Sequence, residues 1–260
     1  MNNYLGFSQE SSLSFINDYL KFAINNRVVA IDAYLKDIDN LGDVDSRILG
    51  AKIYSEYGAA IEEEFAIAYA IVEHNREIEK LENKTNNNQS NSADKMHKPR
   101  FFKEVFINYN NWTLGDFIRN TNFNDGVEKI FGFIEPKEYA CLKHLKEQDV
   151  INDYKTISSN LELLQNEYIE GKLHRVYLKL KHGFLVKYDC QGFIDKTKKA
   201  VGVYTKSDDT ELLADAIPIS VEKDVLVMIR QNADDSQETI RRLLEFFIDS
   251  HLLERNKPCK

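Results

Sequence analysis

One acid-free stretch of the sequence contains the side chains best suited to chemistry. No acidic residue occurs between Glu170 and Asp189, although the whole chain has a net charge of −8. Within this stretch Arg175 and His182 are seven positions apart. On an α-helix that spacing is two turns, so both side chains would lie along one line. Arginine offers a permanently charged planar donor to phosphate, and histidine exchanges a proton near neutral pH.

This pair of residues predicts cleavage of RNA without a metal. His182 would move a proton for a ribose 2′-hydroxyl that attacks the adjacent phosphate, and Arg175 would stabilise the charge developing on the phosphoryl group. Lys179 falls on the same side of the predicted helix, while Lys172 and Lys181 add positive charge for binding the RNA backbone. The simpler interpretation is an amphipathic helix with a solvated basic face.

The stretch Arg175-Val-Tyr-Leu-Lys-Leu-Lys-His182 resembles the R-x4–6-H signature of the HEPN superfamily (higher eukaryotes and prokaryotes nucleotide-binding). Members are α-helical, usually dimeric proteins, and many are RNases of toxin–antitoxin and antiphage systems. The resemblance implies catalytic roles for Arg175 and His182, a homodimer, and RNA or an antitoxin as partner. Val176 departs from the pattern, because that position is commonly polar.

Motifs for other chemistries are missing from the sequence. There is no GxGxxG, GxxxxGK[ST] or GxSxG pattern, and no ExxH pair of the kind a di-iron bundle requires. We therefore expect neither a metal nor another cofactor. Glu62-Glu63-Glu64 is interpreted as a solvated face, with one glutamate facing a neighbouring helix as the alternative. Cys141, three residues before His144, is interpreted as a buried structural thiol beside a surface histidine.

In the N-terminal part of the chain, apolar residues recur every three or four positions, as they do on one face of a helix. A long helix is predicted from Ser46 to about Glu82, with Gly58, Ala59 and Ala60 small enough to let a neighbouring helix approach closely. We expect this helix to pack in a bundle or across a dimer interface. Earlier helical spacing covers residues 8–27 and 28–38, and the polar segment 83–99 is predicted to be a flexible linker.

The C-terminal part is predicted to contain more helices and one β-hairpin. The cationic helix should bury Tyr177, Leu180 and Phe184 and end near Gly183 or Lys187. Asp235 with Glu238 resembles a capping box that opens a final helix. The other predicted helices cover residues 136–151, 153–171 and 221–230, and the hairpin strands cover 200–204 and 212–219.

These elements define a mainly α class: a helical bundle with one long helix and a small β-hairpin before the C-terminal helices. We divide the chain into a helical part (1–82), the linker (83–99) and a second helical part with the hairpin (100–260), and the two helical parts could also form one domain. A different class of function, a non-catalytic interaction or scaffold protein working through helix 46–82, fits the same pattern.

Cysteine usage and hydropathy predict the compartment. The three cysteines are widely spaced without a CxxC pair, which predicts reduced thiols and a cytoplasmic protein. Neither a secretory leader nor an apolar run of membrane-spanning length is recognisable, so we expect no membrane association.

Overall fold

The computed structural model describes residues 2–86, 100–169, 173–182, 186–187, 199–206 and 214–252. Within these ranges, the side chains at 2–9, 84–86, 182, 186–187, 205–206 and 214–215 are not described. Helices make up most of this part of the chain, and a small antiparallel sheet precedes the last long helix. The predicted mainly α class is therefore confirmed. None of the described helices combines the length and the apolarity needed to cross a bilayer.

Ten α-helices and three strands are present in the described residues. The helices are α1 (Asn2–Asp18), α2 (Asn26–Ile38), α3 (Asp43–Asn86), α4 (Phe102–Ile107), α5 (Asn111–Asn120), α6 (Val127–Phe131), α7 (Pro136–Lys143), α8 (Glu147–Ile169), α9 (Leu173–His182) and α10 (Lys223–Phe247). The strands are β1 (Val186–Lys187), β2 (Ala200–Lys206) and β3 (Ala214–Ser220). Two π-helical turns cover Tyr19–Ala23 and Ile248–Leu252, and a 3-10 turn covers Phe123–Asp125.

The chain forms two compact units, and neither is one continuous segment. The first unit comprises Met1–Ala23, Glu64–Glu162 and Thr239–Lys260, and the second comprises Ile24–Glu63 and Leu163–Glu238. Helices α3, α8 and α10 each contribute one part to each unit.

Aromatic side chains form much of the core of the first unit. Phe102 lies 5.2 Å from Phe247 between ring centroids, and Phe246 lies 4.7 Å from Tyr139 and 4.8 Å from Tyr154. Such pairs contribute about 0.5–1.5 kcal/mol each beyond the burial of their area. The hydroxyl of Tyr139 donates a hydrogen bond to the carboxylate of Asp249, so its polar end is satisfied inside this core.

The second unit contains the sheet. Strands β2 and β3 pair antiparallel from Ala200 opposite Ser220 to Lys206 opposite Ala214, which confirms the predicted hairpin. A third strand, β1, pairs with β2 at Val186 opposite Val203. His182 is therefore the last described residue of the cationic helix, and the helix does not extend to Lys187, because the chain is already in extended pairing at residue 186.

The prediction of a helix start at Asp235 is wrong. Helix α10 is continuous from Lys223 to Phe247, so Asp235 and Glu238 lie within it. The helix continues because its sequence contains no Gly or Pro and its buried positions stay in helical phase. The buried apolar positions are Leu226, Ile229, Ala233, Ile240, Leu243, Leu244, Phe246 and Phe247.

Three other predicted helix boundaries are also corrected. Helical spacing over residues 8–27 is interrupted by the π-helical turn at Tyr19–Ala23, and the helix predicted over 136–151 ends at Lys143. His144 adopts the left-handed conformation there, and the backbone N–H of Leu145 reaches back to the carbonyl of Ala140, which closes the helix. Helix α3 extends to Asn86, so the first four residues of the predicted linker are helical, and 87–99 lie outside the described residues.

Cys141 differs from its predicted state in two respects. It is exposed on α7 and it is disulfide-bonded, whereas the sequence predicted a buried reduced thiol. Its exposure follows from its position, because α7 buries the neighbouring Tyr139 and Ala140 instead. The prediction that all three cysteines are reduced is therefore wrong.

Candidate functional site

Helix α9 is amphipathic and buries its apolar side within the second unit. Leu173, Val176, Tyr177 and Leu180 are all buried, which confirms the core prediction for Tyr177 and Leu180. Phe184 lies outside the described residues. The buried side chain of Val176 explains why an apolar residue follows Arg175: that position faces the core, where a polar group would need a hydrogen-bond partner.

The opposite side of α9 carries the predicted site. Arg175 is exposed and Lys179 is half-buried. His182 is the last residue of α9, and its Cα lies two turns, about 10.5 Å of helix rise, from that of Arg175. The helix therefore places Arg175, Lys179 and the backbone of His182 on one side. Lys172 and the His182 side chain lie outside what the structure describes.

Lys181, predicted to bind RNA, instead turns toward α3. Its ammonium nitrogen lies 2.9 and 3.0 Å from the two carboxylate oxygens of Glu62 and 5.3 Å from the ring centroid of Tyr177. Only 6% of the Glu62 side chain is exposed, compared with 35% of that of Lys181. The ammonium is thus already neutralised by a buried carboxylate, and its contribution to the outer basic surface is reduced.

A close helix contact fixes α9 on α3. A Cβ atom at Gly58 would lie 2.5 Å from Cγ of Tyr177, a distance that real Cβ atoms do not show. Gly58 therefore lets α9 approach the α3 backbone, as the small residues of this segment predicted. The approaching helix belongs to the same chain, so Gly58 is already covered without a second copy.

Two more glutamates of α3, Glu56 and Glu63, form ion pairs with Arg27 of α2. Nη1 of Arg27 donates to Oε2 of Glu56 at 3.0 Å, and its Nε lies 3.6 Å from Oε2 of Glu63. Burial opposes the charged form of Arg27, but the hydrogen bond to Glu56 and the charge of Glu63 outweigh it and raise the pKa of Arg27. The interpretation of Glu62 to Glu64 as a solvated face is therefore wrong, since Glu62 and Glu64 are buried and Glu63 is largely covered.

Three tyrosines, Tyr54, Tyr57 and Tyr168, form an inner polar layer together with the ion-paired side chains of Glu62, Lys181, Arg27, Glu56 and Glu63. The hydroxyl of Tyr57 donates to Oε2 of Glu167 at 2.7 Å, and Tyr168 lies 4.5 Å from His174 between ring centroids. Burial, helped by the charge of Glu167, raises the pKa of Tyr54 to about 12. Burial, helped by Glu62, likewise raises the pKa of Tyr168. The hydroxyls of Tyr54 and Tyr168 therefore stay protonated at neutral pH.

The inner layer was missed by the sequence analysis, although a signal for it exists. Helix α3 carries its densest acidic run, Glu62 to Glu64, between the buried residues Ile61 and Phe65. An acid-free helix elsewhere in the chain supplies a matching base. The opposite charges of these two helices could therefore have predicted that α3 and α9 pack against each other. No group of three or more potential metal ligands occurs among the described residues.

No family model matches this chain, and neither a curated protein nor a solved structure matches it significantly. The resemblance to the HEPN superfamily thus rests on Arg175, His182 and their spacing alone.

Proposed function

We propose that the outer face of α9 binds RNA and that the protein is a HEPN-like, metal-independent endoribonuclease. One observation carries the proposal: Arg175 is exposed while the apolar side of the same helix is buried. This orientation places Arg175 on the exposed side of the helix, which is the side that a phosphate would approach. Arginine suits this role because its planar fork matches two phosphate oxygens.

The chemistry divides between two residues. His182 takes the proton of a ribose 2′-hydroxyl as that oxygen attacks the adjacent phosphorus and the bond to the 5′-oxygen of the next nucleotide breaks. The leaving 5′-oxygen takes a proton from water, and His182 later returns its proton to water. Arg175 stabilises the negative charge that develops on the phosphoryl oxygens. The products are a 2′,3′-cyclic phosphate and a 5′-hydroxyl. DNA has no 2′-hydroxyl, so it binds without being cut.

Backbone binding is proposed for Lys172, Lys179 and Lys181. Lys181 contributes least, because its ammonium is paired with Glu62. Each phosphate that is neutralised releases counterions, so affinity should fall with increasing salt.

The biological setting is proposed with the activity: a homodimeric toxin or antiviral defence component in the cytoplasm, held inactive by an antitoxin. Two observations restrict this proposal. Gly58 and Ala60 are buried within the chain, so a dimer would use other residues of α3. The disulfide at Cys141 opposes a cytoplasmic location, because that compartment keeps thiols reduced.

A second candidate function is a non-catalytic interaction protein. Leu41, Val44 and Ile48 are exposed at 40, 55 and 36% around the start of α3. Val44 and Ile48 are four positions apart, so they share one helix face, which could receive another protein.

The deciding experiment measures cleavage of single-stranded RNA with and without EDTA. Wild-type protein should cut in both conditions, and Arg175→Ala should lose both turnover and affinity. Arg76→Ala is the matched control, since Arg76 is an exposed helical arginine in the first unit. Absence of cleavage on every RNA tested would favour the interaction protein.

A further inference from the structure

A buried histidine in the first unit joins α3 to the start of α4. His74 is 1% exposed, and its Nδ1 accepts a hydrogen bond from the backbone N–H of Phe102 at 3.3 Å. Its ring lies 5.6 Å from Phe101 and 5.1 Å from Phe247 between centroids. A side chain of α3 thereby holds the first residue of α4 through one polar contact within an aromatic shell.

The other ring nitrogen of His74 is an unsatisfied buried group. Nε2 has no hydrogen-bond partner among the described residues. Because Nδ1 acts as an acceptor, the neutral ring carries its proton on Nε2. A charged ring would carry N–H on both nitrogens. Nδ1–H would then face the N–H of Phe102, and Nε2–H would still lack an acceptor.

Among the described residues, no carboxylate is bonded to His74. Burial, and then the nearby His251, lower the pKa of His74 to about 3. The acids of the surrounding elements are exposed or already paired. The paired acids are Glu73 with Arg76, Glu77 with Lys80, and Asp249 with Lys143 and Tyr139. Glu104 and Glu245 are exposed, and Lys103, the basic residue of α4, is half-buried.

We propose that His74 is an acid-sensitive latch: its protonation breaks the bond to Phe102 and releases α4 from α3. The device is independent of the proposed nuclease activity. Opening exposes the imidazole to water, where its pKa is about 6.5. Between about pH 6.5 and pH 3, the His74 imidazole is protonated in the open state and neutral in the closed state. The free energy that favours the closed state is therefore largest above about pH 6.5 and decreases as the pH falls toward 3.

Amide hydrogen exchange across α4 in the full chain tests this latch. The protection factor at Phe102, which corrects for the pH dependence of intrinsic exchange, should fall about tenfold per pH unit between pH 6 and 4. His74→Asn places an amide oxygen near the position of Nδ1 and cannot be protonated, so its protection should stay level over this range. His144→Asn is the matched control, because His144 is exposed and asparagine tolerates its left-handed backbone. That variant should behave as the wild type does.

If His74→Asn fails to fold, a measurement on the wild-type protein still tests the latch. The ring signals of His74, followed by NMR from pH 7 to 4, should show no protonation in the closed state. Titration of His74 near pH 6.5 with α4 still protected would overturn the latch. Level protection at Phe102 in the wild type over the same range would overturn it equally.

Discussion

At the scale of single residues, the ion pair between Glu62 and Lys181 gives the cationic helix a structural role. The carboxylate is almost fully buried, and both of its oxygens receive the same ammonium. A buried carboxylate without a partner is costly, whereas replacing both partners by apolar groups can be nearly neutral. Lys181 therefore matters more to folding than to the outer surface that Arg175 occupies.

We predict an asymmetric response when this pair is removed. Lys181→Met should lower the free energy of unfolding by about 1–3 kcal/mol, less than for a fully buried pair because the ammonium is partly exposed. Adding Glu62→Leu to Lys181→Met should restore most of the loss. Lys223→Met, which breaks a pair with the exposed Asp39, should cost less than about 1 kcal/mol. Urea unfolding measures all three, and equal losses in the two lysine variants would refute the buried pairing.

At the scale of elements, the contact of α9 with α3 depends on the absence of a side chain at Gly58. The Tyr177 ring occupies the space that a Cβ would need. The same contact sets the orientation of α9, with Val176 and Leu180 inward and Arg175 outward. The placement of the proposed site is thus a consequence of helix packing in the second unit.

Two glycine-to-alanine substitutions with opposite signs test this contact. Gly58→Ala should destabilise the protein by about 1–3 kcal/mol, because overpacking at Tyr177 exceeds the gain in helix propensity. Gly115→Ala, in α5, should stabilise by up to about 1 kcal/mol, since its nearest neighbour is the mobile end of Arg119 at 3.4 Å. Thermal unfolding gives both values. A stabilising Gly58→Ala would show that α9 does not pack closely there.

At the scale of the whole molecule, periodicity could predict most helices but not the pairing between them. The long helix, the hairpin and the buried side of α9 all follow from local apolar spacing. The continuity of α10 was missed because Asp235 and Glu238 imitate a cap while tertiary packing keeps the helix intact. The pairing of Glu62 with Lys181 joins residues 119 positions apart, and local spacing carries no information about it.

The disulfide at Cys141 makes a prediction for the whole chain. Three cysteines are present in the sequence, so one intramolecular disulfide leaves a single free thiol. Thiol titration of the denatured protein should therefore count about one group per chain without reductant and three after reduction. Anaerobic purification prevents air oxidation from producing the bond. Three free thiols in that preparation would mean that the bond is absent.

The most direct test of the proposed function compares wild-type and His182→Ala protein on one single-stranded RNA in EDTA. The wild type should release fragments ending in a 2′,3′-cyclic phosphate, and His182→Ala should lose turnover by at least about a hundredfold while keeping most RNA affinity, because a proton-transfer group contributes roughly 10²–10⁴-fold. His144→Asn serves as the histidine control and should cleave normally. Unchanged cleavage by His182→Ala would contradict the assignment of the site to α9.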